Sequence, residues 1–106
     1  MSWVENLVLG AGIIRDWKLS NPLLVGQVVK AADEEAVALD IFIRNRGAAA
    51  ITVAIDGQPV ITIDAGDPFM IYDTVMQTIE VVAAVQYDFL VTGVKLQTLK
   101  ALGKVP

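Results

Sequence analysis

RNRGAAAITVAIDGQPVITIDAGDPFMIY, residues 44–72, is the stretch that decides the fold class. Ile51, Val53 and Ile55 fall on one face of its first run, and Ala50, Thr52 and Ala54 on the other. A period of two marks an extended strand, because successive side chains point to opposite sides of the backbone. Asp56-Gly57 follows at once. Asp-Gly between alternating hydrophobics signals a tight hairpin, since a type I′ turn needs positive φ at both central residues. The return run puts Ile61 and Ile63 on one face and Val60, Thr62 and Asp64 on the other. Ala65-Gly66-Asp67-Pro68 turns the chain again, and Phe69 and Ile71 resume the alternation. The stretch reads as a β-meander.

The flanks extend the pattern. Val37, Leu39, Ile41 and Ile43 alternate with Ala38, Asp40, Phe42 and Arg44, the cleanest alternation in the chain, and Asn45-Arg46-Gly47 supplies the next turn. Leu23 to Ala32 and Val75 to Val85 read as further strands, and the VVAAV end of the latter is apolar on both faces, as expected of a strand covered on both sides. Tyr87, Phe89 and Val91 oppose Asp88, Leu90 and Thr92, with Gly26 and Gly93 as bulge candidates. Asp33-Glu34-Glu35 reads as a solvated turn. About seven to nine short runs, with no sustained 3.6-residue period, predict an all-β fold: a single antiparallel β-sandwich or jelly-roll-like barrel. Residues 1–106 form one domain in this reading, with 1–12 as an N-terminal arm and 97–106 as a C-terminal tail open to an edge strand, a helical turn or an arm.

Composition narrows the function. The 106 residues are 55% hydrophobic and 19% charged, more apolar and less charged than the usual ~45–50% and ~25%. A small β domain has little interior, so the surplus predicts burial against other subunits. Polar residues interrupt every long apolar window, so no membrane-spanning helix is expected, and the N-terminal MSWVENLVLGAG has no basic region of the kind that opens a signal peptide. The net charge of −4 offers no basic patch for nucleic acid. There is no Cys and no His. That removes thiolate chemistry, Cys-based metal sites and the commonest general base. Ser2 and Ser20 are the only serines and neither sits in a nucleophile elbow. Asp40, Asp56, Asp64, Asp67 and Asp73 lack the spacing of a calcium loop. Lys95 reads as an exposed or interface lysine in preference to a Schiff-base one. The expectation is a protein that is not an enzyme and uses no cofactor or metal.

The candidate contact residues are aromatic and aliphatic. Trp3, Trp17, Leu99 and Leu102 are the candidate interface, because Trp is enriched at subunit contacts and the ends of the chain carry these side chains. Trp17, Tyr72 and Tyr87 form the alternative, an aromatic platform for carbohydrate or another ligand.

Residues 43–71, IRNRGAAAITVAIDGQPVITIDAGDPFMI, resemble β-sandwich and jelly-roll modules of small structural proteins from tailed phages and other icosahedral viruses. An Asn and Gly turn, a Val/Ile/Thr strand, Asp-Gly, a Thr-containing return strand and Ala-Gly before an aromatic carry the likeness. The resemblance implies a capsid, decoration or tail component that acts through contacts with itself and with other virion proteins, located in the virion. Without it the chain reads as cytoplasmic.

Overall fold

The structure, a computed structural model, describes residues 14–20 and 26–104. Trp3, the arm at 1–12 and the start of the run at Leu23 lie outside them. Eight strands are present: β1 (Trp17–Ser20), β2 (Gln27–Lys30), β3 (Ala36–Asn45), β4 (Ile51–Ile55), β5 (Ile61–Ile63), β6 (Pro68–Ile71), β7 (Thr78–Val82) and β8 (Tyr87–Lys95). They build two four-stranded sheets, β1-β8-β3-β6 and β2-β7-β4-β5, with every pair antiparallel. Strand β1 pairs with β8, β2 with β7, β3 with β6 and β4 with β5. That nesting is a long hairpin rolled over into two layers, the jelly-roll arrangement, and the all-β sandwich expected from the sequence is the fold observed.

The central meander forms as its pattern requires. Ile51, Val53 and Ile63 are buried between the sheets, while Thr62, Asp64 and Val60 face solvent. Asp56 and Gly57 both have positive φ, and Gln58 N donates to Ile55 O at 3.0 Å, closing the predicted turn. The main core joins both layers through Ile41, Ile43, Val53, Ile79, Val81, Tyr87, Phe89 and Val91.

Strand β3 departs from its sequence pattern. The ladder with β8 slips between Ala38 and Asp40, leaving Leu39 unpaired. This bulge reverses the alternation. Ala36, Ala38, Ile41 and Ile43 face the main core, while Val37 and Leu39 join Val94 and Leu99 in a second cluster. The single face expected for Val37, Leu39, Ile41 and Ile43 is thus split in two. Gly93, opposite Ala38, makes the slip feasible, since a Cβ there would stand 2.0 Å from Val37 O. The second cluster is covered by α1 (Leu96–Ala101), which occupies part of the expected tail and fully buries Leu99. The run from Val75 to Val85 also shortens. Only Thr78–Val82 is strand, Met76 makes an isolated bridge to Ala38, and Val82 is exposed although Val81 is buried. The expected covering of VVAAV on both sides does not occur, because β7's outer face looks away from the sandwich.

Asn45 ends β3 and is completely buried. Its Nδ2 donates to Ala49 O at 2.7 Å and to Ile63 O at 3.1 Å, and its Oδ1 accepts from Gly47 N at 2.9 Å. The side chain therefore folds the crossover onto itself and ties β3 of one sheet to β5 of the other. Asn45→Ala would remove the side-chain partner of the buried Ile63 carbonyl and of the part-buried Ala49 carbonyl and Gly47 amide, and a loss of about 2–4 kcal/mol is expected. Asn45→Asp is expected to do no better, since a carboxylate cannot donate to Ala49 O or Ile63 O. Denaturant unfolding measures both, and a loss below about 0.5 kcal/mol for Asn45→Ala would remove the clamp from the account. Gly93→Ala is expected to cost at least as much or to prevent folding, read by the same unfolding curves, because the clash is with backbone that cannot rotate away.

Candidate functional site

The outer face of sheet β1-β8-β3-β6 carries the most organised exposed surface. Its geometry follows from register. Leu90 pairs with Ser20 on one side and with Phe42 on the other, and Phe42 pairs with Met70. Since all four residues point outward, they make one row across the sheet. Phe42 and Leu90 are half-buried and Met70 is 48% exposed. Tyr72, just beyond β6, extends this edge with 61% exposure, and its hydroxyl donates to Met70 Sδ at 3.0 Å. A shallow depression of about 290 Å³ lies over Ser20, Phe42, Asp88, Phe89 and Leu90.

Ionic groups flank the row on both sides. On one, Asp88 pairs across the ladder with Arg44 and accepts from Arg46 Nε at 2.7 Å. On the other, Asp40 accepts from Arg15 Nε at 3.1 Å, Thr92 Oγ1 at 2.6 Å and Asp73 N at 3.0 Å, and Arg15 also pairs with Asp73. Burial pushes the Asp40 carboxyl up, but the hydrogen bonds from Arg15, Thr92 and the Asp73 amide outweigh it and leave it below the usual carboxylate range. An apolar centre with a polar rim is the general anatomy of a protein contact.

The opposite outer face, on β2-β7-β4-β5, is smaller in its side chains. Val28, Val82, Thr52, Ala54 and Thr62 lie around Glu80, and Lys30 is exposed on the same face of β2. At one end of the sandwich an open groove of about 430 Å³ lies between Glu34 and Glu35 of the 3-10 turn (Ala31–Glu34 and its cap) and Lys95, Gln97 and Lys100 at α1. Asp16 closes this end. Its Oδ1 accepts from Lys95 N at 2.8 Å and its Oδ2 accepts from the Thr98 hydroxyl, so it ties down the start of a helix whose N-cap residue, Lys95, makes no side-chain cap. The Thr98 hydroxyl first, then the Lys95 amide, hold the Asp16 carboxyl below the usual range.

The candidate residues separate on this frame. Trp17 and Leu99 pack inside the protein, and of the described candidate interface residues only Leu102, beyond α1, is exposed. The three aromatics of the platform reading do not converge. Tyr87 is 0% exposed, lies edge-on to Phe89 at 6.4 Å and accepts from Gln27 Nε2 at 3.1 Å, and burial pushes its phenol up. Trp17 is buried in the same core at the other end of β8, where it pairs with Gly93, and of the three Tyr72 alone is exposed. The sequence reading missed Phe42, Leu90 and Met70, although their alternation with Ile41, Ile43, Val91 and Ile71 was visible. It also treated Asp56 as a turn residue only. The Asp56 carboxylate accepts from Gln77 N at 2.8 Å and Thr78 N at 2.7 Å, which anchors the start of β7.

Among the described residues no group of three His, Cys, Asp or Glu side chains is placed to hold a metal ion, and no helix is long and apolar enough to cross a membrane. No protein-family model matches the chain, and no curated protein and no solved structure was found similar to it.

Both depressed carboxylates bind their protons less readily in the folded chain than in the unfolded one. The stability they contribute is complete above the unfolded carboxylate value near ~4 and is lost as pH falls through the lower, folded values. The thermal midpoint is therefore expected to fall on acidification below about pH 4. Asp40→Asn should lower the midpoint at neutral pH and make the acid limb shallower. An acid limb equally steep in Asp40→Asn and Asp16→Asn would show that other groups drive it.

Proposed function

We propose that this chain is a non-enzymatic structural subunit of a virion, a capsid, decoration or tail component that works through contacts between subunits. The observation that carries this reading is the outward-facing row of half-buried Leu90 and Phe42 and exposed Met70, which crosses a sheet and is flanked by ion-paired residues. Water-facing strand positions of a monomeric sandwich are normally polar. Here Leu90, Phe42 and Met70 adjoin in one row, which supports a surface that another protein covers. The jelly-roll frame agrees with the reading by analogy of fold, since such frames serve capsid domains and lectins alike.

Tyr72 keeps the second reading, a carbohydrate- or ligand-binding module, in view, because an exposed ring beside Met70 offers a stacking surface. One exposed ring is less than the convergent set of groups from which ligand sites are built.

Solution mass measured by light scattering up to about 1 mM chain tests the structural reading. The mass is expected to rise above that of one chain as concentration increases. A strict monomer throughout, with glycan binding detected and abolished by Tyr72→Ala, would replace this reading with the second one.

A further inference from the structure

We infer that the exposed face of sheet β1-β8-β3-β6 is a contact between two copies of this chain, related by a two-fold axis lying in the face, parallel to the strands and between β8 and β3. The inference rests on the structural reading above and names its partner.

The argument is charge and shape complementarity under one operation. A two-fold contact sets a patch against itself, so the patch must be self-complementary. This axis exchanges β8 with β3 and β1 with β6 and keeps each row at its own level. Register then fixes what meets what. Leu90 of one copy faces Phe42 of the other, because the two are ladder partners on either side of the axis. Ser20, paired to Leu90, faces Met70, paired to Phe42. In the neighbouring row Asp88 and Arg44 are ladder partners, so Asp88 of each copy faces Arg44 of the other. The apolar row thus meets an apolar row, and the charged row meets its opposite sign twice. Arg44 is exposed, and Asp88 keeps its bond to Arg46 while retaining capacity to accept another.

The size of the face sets the strength. Four strands ~4.8 Å apart make a strip about 20 Å wide, and the four-residue outer strands at ~3.4 Å per residue make it about 14 Å long; the face of roughly 300 Å² is less than the roughly 800 Å² per partner of a standard stable complex. The association is weak and concentration-dependent.

The test separates contact between copies from contact within one copy. Arg44→Glu alone sets acid against acid at both crossings, and Asp88→Arg alone sets base against base. Each variant, with its sheet content confirmed by circular dichroism, is expected to dimerise about tenfold or more weakly than the wild type. Mixed in equal amounts, the two variants place opposite charges at both crossings, and the dimer mass is expected to return. Mixing leaves the contacts within each chain unchanged, so recovery reports only on the contact between copies. If Asp88→Arg folds poorly for want of its Arg46 partner, Met70→Glu is measured as a single variant only, outside any mixture, and is expected to weaken the dimer to a similar degree. Single variants that keep the wild-type mass, or a mixture that stays monomeric, would overturn this face and axis while leaving assembly through another surface intact. A wild type that is itself monomeric at every concentration would overturn both.

Discussion

The two layers of this protein are held in register by a buried amide. Asn45 is the only buried polar residue among those described, and it stands where β3 leaves one sheet and the chain crosses to the other. Hydrophobic burial draws the layers together but is non-directional. It does not specify which residue of β5 lies under the end of β3. Two donors aimed at Ala49 O and Ile63 O do specify it, because any slip would leave buried carbonyls without a partner. Asp56 acts similarly at the other end of β4. Its carboxylate receives the amides of Gln77 and Thr78, which sets where β7 begins beside β4.

The bulge in β3 has a comparable effect on the outside of the sandwich. Had the alternation of β3 run unbroken, Val37 and Leu39 would have shared the inner face with Ile41 and Ile43. The slip at Ala38 and Asp40 turns them outward instead, and α1 folds back to cover them with Leu99. Asp40, just past the slip, keeps the outer face it shares with Phe42, and there it gathers Arg15, Thr92 and Asp73. One extra residue in one strand therefore divides the outer face into a covered half and an open half. The open half holds the row proposed here as a contact.

Much of this was legible in the sequence, and the parts that were not share a cause. The meander at 51–71 was readable because its signals are local: period two, Asp-Gly, and Pro after a turn. Gly93 was recognisable as a bulge candidate. Its consequence was not, because the extra residue sits in β3, and a slip between strands distant in the chain leaves no mark on either one alone. Trp17 and Leu99 read as contact residues since nothing local distinguishes a side chain buried by a remote strand from one left for a partner. Asn45 and Asp56 were read as turn residues, which they are. Their further bonds go to Ile63, Gln77 and Thr78, and those neighbours are known only once the roll is closed. The six residues of α1 were too few to show a helical period.

The nesting of the strand pairs has a kinetic consequence. Closing a loop costs entropy that grows with the length closed, and the pairing of Trp17 with Gly93 encloses most of the described chain. Formed first, that pair would be expensive. Formed after β4–β5, β3–β6 and β2–β7 are in place, it closes only the short remaining gap. The cheapest order of assembly therefore zips outward from the Asp56-Gly57 turn, with β1 docking last on β8. A chain dominated by such distant pairings folds slowly compared with a helical protein of its size. In the interval before β1 arrives, β8 is an open edge with unpaired backbone groups, and that edge is where a crowded, newly made chain is most exposed to pairing with the wrong neighbour.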